Sequence, residues 1–305
     1  MPQIKNISII GGSGQQGTPI LKALLLSKHF TITAITRSSS PSTSPPGITV
    51  TRGDYSSSFL ESALKNQDAL VIILGVAAPK DLQSRIITAA ASACVPWVLP
   101  CEFGPDGASR EMMDGLPVLA AKKGVRDEIE AAGDSGWLGI VCGLWFDVNL
   151  KNAFFGLNIK ERTVRLYDEG TTVLSTSTLD QVGCGVVKLL SLPSEKLLKY
   201  RNSFVYINSF HVSQLDIFHS LLKATSTEEA AWKVTKVPVH NAITEGRNAL
   251  AAGDYKGGLD MFVGMMFKEG AGGDFRPKSN NGDLGLVEEN LDEVVAQVVK
   301  KVEAA

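Results

Sequence analysis

The stretch SIIGGSGQQGTPILKALL, residues 8 to 25, decides the fold. It runs from an apolar strand pattern, through glycines at 11, 14 and 17, into a helical pattern. Residues 12 to 17 satisfy GxGxxG, and Gly11, Gly14 and Gly17 satisfy the looser GxxGxxG. Either spacing has one physical meaning. One glycine makes a tight turn, a second lets a pyrophosphate approach the backbone, and a third lets the helix pack closely on the strand. The helix start then offers unpaired N–H groups and the positive end of its dipole to phosphate. With a strand before the loop and a helix after it, a dinucleotide site is expected, formed by Gly11, Ser13, Gly14, Gln15, Gln16 and Gly17.

Working outward, KNISIIGG reads as a strand, residues 16 to 27 as a helix, and TITAITR, DALVIILGV and PWVLPCEFG as further strands, the last ending in a loop. Residues 81 to 93 and 117 to 132 read as helices and WLGIVCGLW as a strand. The strands are rich in Val, Ile and Leu on both faces, as central parallel strands covered by helices are. The expectation is an α/β fold, a Rossmann-like doubly wound parallel sheet. SSSPSTSPPG, residues 38 to 47, is a surface loop. After about residue 150 the pattern changes to an expected hairpin RTVRLYDEGTTVLST, helices near 179 to 190 and 212 to 224, and a Gly/Met/Phe-rich region. The division expected is residues 1–150 for cofactor and 151–305 for a smaller substrate-binding region whose segments return to the sheet.

Composition bounds the partners. The chain has 305 residues, 44% of them hydrophobic, enough for a large core, and 30 Lys+Arg stand against 32 Asp+Glu, a formal charge of −2. That balance gives no basic footprint for nucleic acid or an anionic membrane. Cys94, Cys101, Cys142 and Cys184 are scattered without CxxC pairing, and no leader pattern or long apolar run is read, so a cytoplasmic location is expected; the assembly expected is a monomer or homodimer. His211 and His240 are isolated, and no metal is expected.

The second strand ends Ile35-Thr36-Arg37-Ser38, where an NAD site would place a carboxylate, and none occurs before Asp54. A guanidinium there suits a 2′-phosphate, with Ser38 or Ser39 adding a hydroxyl, so NADP(H) is the expected cofactor. None of Tyr55, Tyr167, Tyr200, Tyr206 and Tyr255 has a lysine four residues on, so the YxxxK pair is missing. In VLAAKKGVRDEIEAAG, Val118, Val125 and Ile129 fall on one helix face together with Lys122, while Lys123, Asp127 and Glu130 point away. A lysine on the inner face either snorkels, finds a partner or lines a cavity, and in a cavity it is a catalytic candidate.

These residues carry a family resemblance. GxxGxxG, TR ending strand two, GDYSS before a helix, LPCEFG after a later strand, and Lys122 four residues before Arg126 in KKGVRDEIEAAG resemble the NmrA-like and isoflavone reductase-like family of atypical short-chain dehydrogenases. That family shows PSEFG and K-x-x-V-R-x-x-I-E-A in these places. The resemblance covers residues 4 to 146 and implies NADPH-dependent reduction of a conjugated or aromatic small molecule. It maps the family's lysine onto Lys122, its phosphate-binding arginine onto Arg37, and its nicotinamide-side loop onto Glu102 and Phe103. Asp54 and Gly75 complete the expected cofactor set. Cys101 stands where the family has serine, and CGLWFDVNL replaces the plant-type S-S-N-x-F and is similar to fungal members.

Trp145, Phe146, Phe154, Phe155, Met261, Phe262, Met265, Met266 and Phe267 form apolar clusters of the kind that line cavities for flat ligands. Trp145, Phe146, Phe262 and Met265 are the expected substrate residues. The expected function is an NADPH-dependent reductase of an enone, imine, ketone or benzylic acceptor, with Lys122 as proton donor. The alternative is a non-catalytic NADP(H)-sensing regulator.

Overall fold

The computed structural model describes residues 3–75 and 77–304; Val76, the end of the expected strand DALVIILGV, lies outside them. In chain order the first half runs β1 (Asn6–Ile10), α1 (Gly17–Ser27), β2 (Thr31–Arg37), β3 (Thr49–Gly53), α2 (Ser57–Leu64), β4 (Ala69–Ile72), α3 (Leu82–Ser92), β5 (Trp97–Leu99), α4 (Arg110–Gly115), α5 (Pro117–Ala131) and β6 (Gly136–Val141). It continues with β7 (Leu144–Trp145), α6 (Phe146–Lys151), β8 (Leu157–Asn158), β9 (Thr163–Tyr167), β10 (Leu174–Ser177), α7 (Leu179–Leu190), α8 (Ser194–Leu197) and β11 (Ser203–Tyr206). Then follow β12 (Phe210–Val212), α9 (Gln214–Thr225), β13 (Lys233–Val237), α10 (Val239–Ala251), α11 (Gly258–Phe267), α12 (Asn281–Leu284) and α13 (Leu291–Glu303).

Seven strands form one sheet in the order β11-β6-β5-β4-β1-β2-β3, and every pair is parallel. Side chains alternate across it. Ile7, Ile9, Ala69 and Val71 pack under Ile20, Leu24, Val182 and Val186 of α1 and α7. Ile10, Leu70 and Ile72 face Leu60, Ile86, Ala90 and Ile129 of α2, α3 and α5. Helices on both faces make this the doubly wound fold expected from the two-sided apolar strands. The sheet also takes material from beyond residue 150: β11 pairs with β6, and α7 packs on α1.

Two local expectations fail for identifiable reasons. RTVRLYDEGTTVLST forms no hairpin. β9 pairs with β8 and β13, whereas β10 pairs with β7 and β12 in another sheet, because the chain between them turns at Asp168 (φ 50°) and Gly170 (φ 72°) and separates the strands. WLGIVCGLW is two strands, not one. Gly143 has φ 63°, and a side chain there would overlap the Ser175 carbonyl oxygen, so the chain leaves the main sheet after β6 and joins β10 as β7.

The aromatic clusters are mostly core. Phe146 is fully buried, with its ring 5.6 Å from Phe155 and 4.9 Å from Phe210. Met265 is buried against Gly115, and α11 buries Met261, Met266 and Phe267 as well. DMFVGMMF is dense in apolar residues because this helix is enclosed on most sides. The expected substrate roles of Phe146 and Met265 are therefore corrected to packing roles. Phe146→Ala should cost about 3–5 kcal/mol of stability, read by denaturant unfolding, with cofactor affinity unchanged in the folded fraction.

Candidate functional site

The strand order reverses at β1, which lies between β2 and β4, so the C-terminal ends of β1 and β4 open a crevice where doubly wound sheets take their ligands. The glycine loop sits at its mouth. Gly11 has φ 83°, and a side chain on it would overlap the Ile73 carbonyl oxygen. A side chain on Gly17 would overlap the Gly11 carbonyl oxygen. These two are demanded by the turn and by the approach of α1. Gly14 differs: an added Cβ meets only Gly11 O, at 3.4 Å, and the rest of its surroundings is open. Gly14 N–H donates to Gly11 O at 3.0 Å and Thr18 N–H to Gly14 O at 2.9 Å, which closes the turn. Among the described residues, the N–H groups of Gly12, Ser13, Gln15 and Gln16 have no acceptor in the protein. Ser13 and Gln15 are exposed, whereas Gln16 is buried with its Nε2 unpartnered. Free donors, an orphaned buried amide and open space over Gly14 fit a pyrophosphate.

Arg37 ends β2, is exposed, and makes no ion pair among the described residues. Beside it Arg52 is committed, donating to Ser40 O at 2.9 Å and Ser42 O at 2.6 Å, which folds the Ser/Pro loop over the sheet edge. Ser38 N–H donates to Gly53 O at 2.8 Å, leaving its hydroxyl outward beside Arg37. Asp54 is exposed just after β3, and the Ser56 N–H and hydroxyl hold its carboxyl below the usual range. Gly75 is exposed past β4 with nothing near a Cβ. Arg37, Ser38 and Gly75 thus border the crevice with unspent groups or open backbone.

The loop after β5 is pinned from several directions. Leu74 N–H donates to Cys101 Sγ at 3.4 Å, and the thiol donates back to Leu74 O at 3.6 Å, so Cys101 ties the β4 and β5 ends together. Phe103 is buried with φ 31°, an uncommon conformation for a bulky residue, and its carbonyl accepts the Trp145 indole N–H at 3.1 Å. Gly104 O accepts the N–H groups of Cys142 at 3.1 Å and Gly143 at 3.0 Å. Glu102 does not offer its carboxylate to a cofactor. It is buried in an ion pair with Arg126, so only its main chain is left to take part in the expected nicotinamide-side loop. The Glu102 carbonyl accepts a hydrogen bond from Lys122 Nζ.

The inner face of α5 lies slightly off the expected stripe. Leu119, Arg126 and Ile129 are buried, Lys122 and Val125 are half-buried, and Val118 is 49% exposed. Lys122 remains on that face, next to Cys142, whose thiol burial pushes up to about 12 against the opposing charge of Lys122. Cys142 is therefore a neutral thiol. Lys123 points to solvent, paired with Asp127 at 2.7 Å. Trp145 and Phe262 are half-buried and keep part of their rings available. The burial of Arg126 in an ion pair with Glu102 is the feature that the motif alone does not reveal. The signal was present, since a cation in the stripe Leu119, Lys122, Arg126, Ile129 needs a buried acid.

No group of three or more His, Cys, Asp or Glu side chains among the described residues is placed to hold a metal ion, and no described helix is long and apolar enough to cross a membrane.

The NmrA-like family model matches residues 3–193. The oxidoreductase aprR of Aspergillus flavus is 30% identical over 301 residues, covering 96% of this chain and 98% of that protein. Among solved structures, AtPrR2 with NADP+ and (+)pinoresinol superposes with a TM-score of 0.77 at 19% identity, covering 98% of this chain and 100% of that one. An isoflavone reductase crystal structure superposes with a TM-score of 0.77 at 18% identity, covering 97% and 99%. A glycine loop at the sheet's switch point, an arginine without an ion pair among the described residues at the end of β2 and a half-buried lysine on α5 thus occur in a relative of named oxidoreductases: the chain belongs to the NmrA-like family, and it is an oxidoreductase built on the NADP(H)-binding Rossmann-type fold of the isoflavone reductases.

Proposed function

We propose that the chain is an NADPH-dependent reductase of a small, largely apolar acceptor, an enone, imine, ketone or benzylic carbon, with Lys122 as proton donor. Residues 1–150 hold the cofactor, and residues 151–305 cover the substrate. The observation that carries this reading is the position of Lys122: a half-buried ammonium on the inner face of α5, held at the Glu102 carbonyl beside the Trp145-bonded peptide of Phe103. When bound, NADPH supplies hydride from its nicotinamide ring. The chain's own residues do the rest. The free N–H groups of the Gly11–Gly17 loop take the pyrophosphate, and Arg37 with Ser38 takes the 2′-phosphate. Trp145 and Phe262 offer the apolar surface against which a flat acceptor lies. Lys122 gives its proton to the acceptor atom that gains electron density, or holds that atom as it becomes anionic. AtPrR2 binds NADP+ and (+)pinoresinol in its solved structure, which supports an aromatic acceptor as the substrate class.

Arg37 provides the test of cofactor choice. Its loss removes charge-assisted hydrogen bonds worth about 1.5–3 kcal/mol, so Arg37→Ala should weaken NADPH on the order of tenfold to a hundredfold and leave NADH unchanged. Titrating both cofactors by nicotinamide fluorescence reads this directly. Equal affinity of the wild type for the two would remove the NADP(H) assignment.

A further inference from the structure

Lys122 and Arg126 are one helical turn apart on α5, and both reach Glu102. Lys122 takes its main-chain carbonyl, and Arg126 takes its carboxylate. We propose that Arg126 is a positioning residue: its ion pair with Glu102 fixes the peptide that holds the Lys122 ammonium at the crevice. The proposal rests on the reading of Lys122 as proton donor.

The pair is built to hold a position. The two side chains are 7% and 2% exposed. The guanidinium lies over the Phe204 ring at 4.8 Å and the Trp137 ring at 5.5 Å, so its plane is set by aromatic faces before it meets the carboxylate. The return of the loop past it is equally close, because a Cβ on Gly107 would come to 3.4 Å from Arg126 Nη1 and 3.0 Å from Phe204. Glu102 Oε2 is buried without a partner among the described residues, so the carboxylate depends on Arg126 alone for its hydrogen bonding. The main chain on either side is already fixed, by Cys101 to Leu74 and by Phe103 and Gly104 to Trp145, Cys142 and Gly143. The Glu102 N–H is bonded as well, to Pro100 O at 2.7 Å, and Arg126 adds the constraint that reaches residue 102 through its side chain. A buried ion pair adds little to net stability compared with an apolar replacement, and its use here is to fix a geometry.

The test needs neither cofactor nor substrate. The full chain is acetylated with a limiting amount of acetic anhydride at one fixed alkaline pH, and labelling of Lys122 is compared with that of its neighbour Lys123 by peptide mass spectrometry. In the wild type Lys122 is the slower of the two, since its amine is half-buried and bonded while Lys123 is exposed. Arg126→Met should raise the Lys122-to-Lys123 labelling ratio by about fivefold or more, the fraction of time the amine is held falling as its acceptor loses its mount. A purely structural role would lower the melting temperature and leave the ratio of the folded protein unchanged, and that result overturns the proposal. Glu102→Gln, nearly isosteric, decides by the same ratio if Arg126→Met does not fold. An unchanged ratio with Lys122→Met inactive removes the positioning role alone, whereas full turnover by Lys122→Met removes the proton-donor reading and leaves the labelling result standing.

Discussion

Lys122→Met is expected to lose turnover by about 10²-fold or more, the usual contribution of a positioned proton donor, while still folding and binding NADPH. The substituted side chain keeps the length of the apolar stem and removes only the ammonium, so the half-buried slot on α5 stays filled. What disappears is the cation at the Glu102 carbonyl. Lys123→Ala is the matched control. Lys123 lies one residue away but on the outer face, in an exposed pair with Asp127, and such surface pairs contribute only about 0–1 kcal/mol. The two variants should therefore differ in rate by nearly the whole effect of Lys122 under one assay. Wild-type turnover by Lys122→Met would assign the proton to water or another group.

Gly14→Val is expected to abolish measurable cofactor binding in a chain that remains folded, a loss on the order of 10²-fold or more once phosphate hydrogen bonds are left unmade. The three glycines of the loop do different work, and the geometry separates them. Gly11 and Gly17 have no room for a Cβ, so valine at either forces the backbone apart and lowers the melting temperature. Gly14 is free of that conflict, with one ordinary contact at 3.4 Å, and its added methyl groups project into the open space over the loop. Nicotinamide fluorescence and thermal melts on the three variants distinguish these cases. A Gly14→Val protein with wild-type affinity would mean that the phosphates do not cross this glycine.

The glycine loop was legible in the sequence because its residues answer to backbone geometry at fixed spacing. The β1, α1 and β2 elements around it were legible for a related reason: two-sided apolar strands permit little besides a covered parallel sheet. The second half was less readable. Nothing local in RTVRLYDEGTTVLST distinguishes a hairpin from two strands that part at Asp168 and Gly170 to join different sheets. The aromatic cluster misled in another way, since apolar density marks enclosure without saying whether a ligand or a helix does the enclosing. Phe146 and Met265 are enclosed by protein, while Trp145 and Phe262 remain half-buried. On α5 the apolar pattern points to Val118 and Val125, whereas the buried members include Leu119 and Arg126, because hydrophobicity hides a charged residue whose partner lies 24 positions earlier.

The central claim is hydride transfer from NADPH to a small apolar acceptor at a site closed by Lys122. The most direct measurement is NADPH consumption, followed by loss of its absorbance, with the wild-type protein and a panel of enones, imines and benzylic ethers. The account predicts that at least one acceptor is reduced, with NADPH preferred over NADH by about tenfold or more, the value of the Arg37 contact. Tight binding of NADPH with no acceptor reduced across the panel would contradict it and favour a sensor of the cofactor.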